Sequence, residues 1–144
     1  MKTNVEINNL TKKRIDPSLV KKIVRKTVKL ARPKSERQAG ADLNLLEISI
    51  VFVSEAEMRR INQKYRQKNK STDVLSLRLD LGYNKKRIIQ GEIILCPDII
   101  SKNARENKVS FSRELVFVLA HGILHVLGWK HGRKMYNLQD KICE

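Results

Sequence analysis

The most apolar stretch of the chain, Leu115 to Trp129, limits what this sequence can fold into. It falls short of the roughly 20 residues needed to span a bilayer, and it carries two histidines, His121 and His125. Ser110 or Ser112 is placed to cap a helix from about Arg113 to Leu127, and Gly128 to end it. At 144 residues with 41% hydrophobic side chains, the chain fits one domain over residues 1–144 with one core. Aromatic residues make up only 5%, so Leu, Ile and Val must supply the packing.

The remaining elements follow from local signals. Val5–Ile7 reads as a short first strand. Asp16-Pro17 opens a helix to about Ala31, with Leu19, Val20, Ile23, Val24, Val28, Leu30 and Ala31 on one face, interrupted by Thr27. Its other face carries Lys21, Lys22, Arg25, Lys26 and Lys29. Arg32 to Asp42, with Pro33 and Gly40, reads as loop. Leu43 to Val53 reads as a strand. Ser54 to Glu57 matches a capping box for a helix to about Tyr65, and Arg66 to Thr72 reads as loop. Val74 to Leu79 is a strand ending in a turn at Asp80-Leu81-Gly82. Ile88 to Cys96 is another strand, interrupted by Gly91, and Pro97 opens a helix to about Lys108. Arg133 to Ile142 forms a last short helix. Alternating strands and helices give an α+β or α/β layered fold, with four strands and four or five helices.

Thirty Lys and Arg against fifteen Asp and Glu leave a net charge of +15. Twelve basic and three acidic residues within residues 1–40 give a local net of +9. Such an excess repels itself in a compact state, which points to a polyanionic partner, nucleic acid, with a solvated basic surface that has no specific partner as the alternative. Cys96 and Cys143 have no CxxC spacing and do not suggest a disulfide scaffold. Met1 to Glu6 has no apolar signal segment. The expectation is a cytoplasmic protein with no membrane partner.

All three histidines of the chain lie within one segment, His121-Gly122-Ile123-Leu124-His125-Val126-Leu127-Gly128-Trp129-Lys130-His131. Four residues apart on a helix, His121 and His125 share a face, and a chain reversal at Gly128 brings His131 toward them. Three neutral imidazoles suit one Zn²⁺ per chain and leave a fourth position open, as catalytic sites do. A structural site would need a fourth protein ligand, for which Cys96 or Cys143 are the thiols present. Core histidines are the remaining alternative. Three histidines also serve nickel, copper or iron. The segment fits the metzincin frame H-E-x-x-H-x-x-G-x-x-H except that Gly122 replaces the glutamate base, which argues against a peptidase.

The same segment resembles the signature of the YbeY family of metal-dependent endoribonucleases. Asn62-Gln63-Lys64-Tyr65-Arg66-Gln67-Lys68-Asn69-Lys70-Ser71-Thr72-Asp73-Val74-Leu75-Ser76 is similar to that family's N-x-x-Y-R-x-K-x-x-x-T-D-V-L-S, and Gly91 to Cys96 to its G-D-I-x-I-C strand. The resemblance implies a central mixed four-stranded sheet, with His121, His125 and His131 holding a metal in a cleft. It implies that Arg66 is functionally important, and an arginine near the metal could clamp a phosphate. Thr72, Asp73 and Ser76 match as well and read as organisers of the loop and strand start. The implied function is cleavage of single-stranded RNA in ribosomal RNA maturation, at the 16S 3′ end, and in ribosome quality control, with the small subunit as partner. A hydrolase of another substrate class and a non-catalytic ribosome-associated RNA-binding factor are the competing expectations. Two departures from the family pattern, Lys130 before the third histidine and Gly132-Arg133-Lys134 after it, both add positive charge.

Overall fold

The computed structural model describes residues 2–31, 43–83 and 86–144. The expected loop from Arg32 to Asp42 lies outside the described residues. Four strands, β1 (Lys2–Asn9), β2 (Leu43–Phe52), β3 (Val74–Tyr83) and β4 (Lys86–Leu95), form one sheet in the order β1-β2-β4-β3. β1, β2 and β4 run parallel and β3 pairs antiparallel with β4, so the sheet is mixed. Five helices accompany it among the described residues: α1 (Pro17–Leu30), α2 (Glu55–Arg66), α3 (Pro97–Glu106), α4 (Phe111–Val126) and α5 (Arg133–Cys143). The fold is α+β, as the sequence led us to expect.

Side chains alternate across each strand. Leu46, Ile48, Ile50 and Phe52 of β2 join Ile89, Ile93 and Leu95 of β4 in the main core beneath α1, α4 and α5. Their neighbours face the other way: Val53, Leu75, Ile94 and Cys96 pack with Met58 of α2 in a smaller cluster. α4 lies at the centre of the main core, with Leu115, Leu119, Ile123, Leu124 and Val126 buried. No single helix among the described residues is long and apolar enough to cross a membrane; only α3 and α4 taken together pass that test, and they are bent by 115°.

Several local expectations need correction. Asp80-Leu81-Gly82 is no turn: β3 runs through it to Tyr83, with Asp80 paired to Ile89 and Gly82 to Arg87. The Asp80 carboxylate accepts hydrogen bonds from Arg78 and Arg87, which holds a turn-forming side chain in a ladder. The α1 stripe is narrower than the pattern implied. Leu30 is exposed, whereas Thr27 is buried and satisfies its hydroxyl on the Ile23 carbonyl at 2.7 Å. Ser54 caps α2 by accepting from the Glu57 amide, but the Glu57 carboxylate is taken by Arg60 instead of reaching back, so the expected capping box is half formed.

One close approach joins sheet and helix. A Cβ at Gly91 would lie 2.3 Å from Cγ1 and 2.8 Å from Cγ2 of Val126. The missing side chain lets the C-terminal turn of α4 rest directly on β4, which fixes the height of His125 above the sheet.

Candidate metal centre

α4 ends in the double hydrogen bond of a Schellman motif: Trp129 N–H donates to the Leu124 carbonyl at 3.0 Å and Gly128 N–H to that of His125 at 3.0 Å. Gly128 sits at φ +92°, a conformation that favours glycine. Arg78 reaches from β3 to donate to the Val126 carbonyl at 3.1 Å, another acceptor left over at the helix end. The Trp129 indole donates to the Ala31 carbonyl at 3.3 Å and anchors the reversed chain to α1. The turn therefore carries His131 back over the face that holds His121 and His125.

The three rings gather closely. Their centroids are 4.5 Å apart for His121 and His125, 4.6 Å for His125 and His131, and 5.2 Å for His121 and His131. One ring nitrogen from each can be chosen so that all three lie within 4.8 Å of one another. The opposite nitrogens are engaged elsewhere. Nδ1 of His121 lies 3.4 Å from Gln139 Oε1, Nδ1 of His125 3.1 Å from the Trp129 carbonyl, and Nδ1 of His131 3.1 Å from the Tyr136 hydroxyl. With Nδ1–H donating to these oxygens, each ring keeps a free lone pair on Nε2. Burial pushes the His121 and His125 imidazoles below their ordinary value of 6.5, and the facing histidines add to this. Both are thus neutral near pH 7, the form that can ligate.

This donor set fits a zinc-type ion. Bonds of about 2.0–2.1 Å in a tetrahedron place nitrogen ligands about 3.3 Å apart, and the Nε2 atoms of His121 and His125 are 3.1 Å apart. No cysteine belongs to the group. Cys96 is buried in the smaller cluster on the opposite face of the sheet, which removes it as a fourth ligand.

The histidines open into a cleft of about 490 Å³, lined also by Arg66, Thr72, Asp73, Val74, Ser76, Phe117 and Val118. Arg66 is the last residue of α2 rather than part of a loop, and Gln67 caps that helix in the left-handed conformation at φ 57°. The Arg66 guanidinium has no hydrogen-bond or ion-pair partner among the described residues, and it is close enough to disfavour charge on His125. A surface salt bridge does not account for it. Among the described residues Asp73 is the one carboxylate of the lining, which reasoning from the sequence had treated only as a loop organiser. The T-D-V-L-S match had flagged the position but not its direction. Ser76, expected to organise the start of its own strand, instead donates across to the Gly122 carbonyl of α4 at 3.2 Å.

Gly122 now has a physical reason. A Cβ there would stand 3.1 Å from both Ile93 Cγ2 and Ser76 Oγ, so this position faces the sheet and leaves no room for a glutamate. A somewhat larger cavity of about 600 Å³ lies elsewhere, on an open part of the sheet. It is lined by Glu6, Glu47 and Glu92, whose negative charges suit a phosphate backbone poorly.

A mixed α+β fold with three imidazoles and a guanidinium in one polar cleft has the donor set of a hydrolase acting on anionic esters. Comparison with known proteins identifies which hydrolases it resembles. The sequence model of the family described as Endoribonuclease YbeY matches residues 6–144, and the chain belongs to that family. It is 39% identical over 102 residues to the Endoribonuclease YbeY of Buchnera aphidicola subsp. Schizaphis graminum, covering 70% of this chain and 63% of that protein. It is 36% identical over 131 residues to the one from Thermodesulfovibrio yellowstonii, covering 87% and 82%. The solution structure of TM1509 from Thermotoga maritima superimposes with a TM-score of 0.60 at 28% identity, covering 96% of this chain and 86% of that one. Membership places the chain among nucleases that hydrolyse RNA.

Proposed function

We propose that this chain is a zinc-dependent endoribonuclease of the cytoplasm that cuts single-stranded RNA, with His121, His125 and His131 as the metal ligands and Arg66 as the phosphate-binding residue. The single observation that carries the reading is that one ring nitrogen from each of the three histidines lies within 4.8 Å of the others, while every Nδ1 has an oxygen partner. A zinc-type ion held by these three histidines would supply Lewis acidity and a source of hydroxide at neutral pH.

The protein's own groups do the rest. The His121 and His125 imidazoles stay neutral because they are half-buried and face neighbouring histidines. Arg66 brings a fork of donors that matches two phosphate oxygens and the extra negative charge of the transition state. Exposed Lys64, Lys68, Lys70, Lys130, Arg133 and Lys134 surround these elements in the chain and attract the backbone on either side. A double helix fits a narrow cleft poorly, which favours single strands. Within this reading the substrate is ribosomal RNA, at the 3′ end of 16S rRNA, with maturation and quality control of the small ribosomal subunit as the setting.

The test is elemental analysis of protein purified without a histidine tag, followed by incubation with ribosomal RNA. We expect close to one zinc per chain, cleavage abolished by chelation and restored by zinc, and neither metal nor cleavage in His121→Ala. Identical cleavage patterns from wild type and His121→Ala would defeat the proposal.

A further inference from the structure

Phe117 is out of place as a packing residue. It lies four residues before His121 and eight before His125, so the three form one stripe along α4. That stripe faces the cleft: Phe117 lines it, and the residue is 45% exposed in a chain with very few aromatic residues. Two other aromatics are comparably exposed, but both are engaged or placed differently. Lys64 sits over the Tyr65 ring at 5.4 Å, and the Tyr136 hydroxyl is the partner of His131. Neither lines the cleft, so among the described residues Phe117 is the one Phe, Tyr or Trp there. Among the same residues its ring has no aromatic or cationic partner. Its backbone is fixed, because buried Gln139 donates to the Phe117 carbonyl at 3.1 Å while its other amide atom faces His121. Ring and metal ligand are therefore held by one side chain from α5.

From this arrangement we infer that Phe117 is a stacking platform for one base of single-stranded RNA, beside the phosphate held at the histidines. The inference rests on the nuclease reading and names a subsite within it. One helical turn, about 6 Å along the axis, separates ring from triad, which a nucleoside can bridge with its phosphate at one end and its base at the other. A bare phenyl face gains from a base without reading its edges, so the subsite accepts any base and rejects its absence. Base pairing would withhold the face, which gives the cleft a reason to prefer unpaired strands.

The probe is a set of uncleavable 2′-O-methyl oligonucleotides, each with fluorescent 2-aminopurine at one position, and matched strands with an abasic site there. They are titrated into zinc-loaded full-length protein, as wild type, Phe117→Leu and Phe117→Trp, with circular dichroism to verify folding. Wild type and Phe117→Trp should quench one position strongly. Phe117→Leu should lose that quenching and bind roughly ten- to a hundredfold more weakly, and the abasic strand should erase the difference between variants. On cleavable RNA the same variant should raise KM far more than it lowers kcat. Phe117→Leu binding every strand as wild type does, with KM unchanged on RNA that wild type cuts, overturns the stacking site and leaves the nuclease reading in place. Position-specific quenching that depends on Phe117, in a wild type that cuts no RNA with any metal, supports the stacking site and ends the nuclease reading.

Discussion

Gly91→Ala adds a single methyl group where α4 crosses β4, and the geometry there sets a large effect. The new Cβ would lie 2.3 Å from Val126 Cγ1, 2.8 Å from Cγ2 and 3.1 Å from Cβ, more than 1 Å inside ordinary contact with the nearest atom. Val126 cannot rotate away: it is fully buried, and a β-branched residue in a helix has one strongly preferred rotamer. The helix must lift instead. Overpacking of this kind costs about 1–3 kcal/mol, and with two methyls and a Cβ in the way we expect the upper half of that range. For a chain of this length the unfolding entropy is about 0.3 kcal/mol per degree, so a cost of 2–3 kcal/mol lowers Tm by about 7–10 °C. Val126→Ala alone should cost about 1–3 kcal/mol through the cavity it leaves. In the double variant the methyl added at position 91 enters the space that Cγ1 vacated, so the pair should be less damaging than the sum by at least about 1 kcal/mol. Urea denaturation followed by circular dichroism on the four proteins of the cycle measures this coupling. Strict additivity would refute the argument that residue 91 and Val126 compete for one volume.

Three further outcomes follow from the site and the sheet. Arg66→Lys keeps the charge but loses the planar fork, and steady-state cleavage should fall by about tenfold or more; unchanged kinetics would return Arg66 to the solvated surface. Gln139→Leu removes the oxygen facing His121, and zinc affinity measured by chelator competition should drop by about 10- to 100-fold, whereas wild-type affinity would show that the contact does not orient the ring. For Asp80, its Arg87 partner holds the carboxyl below its ordinary value of 3.8, with desolvation opposing and Arg78 assisting. A depressed carboxyl stabilises the fold above its ordinary value and ceases to do so as pH falls through the depressed one. Wild type should therefore exceed Asp80→Asn by up to about 1 kcal/mol at pH 7, the pair being partly exposed, and the gap should close as pH falls below that ordinary value; a gap that persists in strong acid contradicts the ion-pair account.

Much of the architecture was legible because short-range physics dictates it. Asp16-Pro17, Ser110 and Gly128 specify helix ends through their own backbone and side-chain bonds, and the structure places them there. The histidine spacing implied a shared face for His121 and His125 for the same reason, a repeat of 3.6 residues per turn. What failed was local chemistry overruled at a distance. Asp80 and Gly82 have turn-forming residue types, yet two arginines and a ladder with β4 keep them in a strand. Glu57 is the right residue for a capping box, but Arg60 takes its carboxylate. Gly91 was visible as an anomaly in a strand, while the reason for it stands on α4, brought there by folding alone. The same division runs through the cleft. The ligand types and their spacing were written in the chain, but Gln139 behind His121, Tyr136 behind His131, Asp73 and Phe117 in the wall, and the unpaired state of Arg66 among the described residues were set by tertiary packing. Sequence patterns report contacts within a turn or a strand pair; the surroundings of a site come from elements that meet only when the core closes.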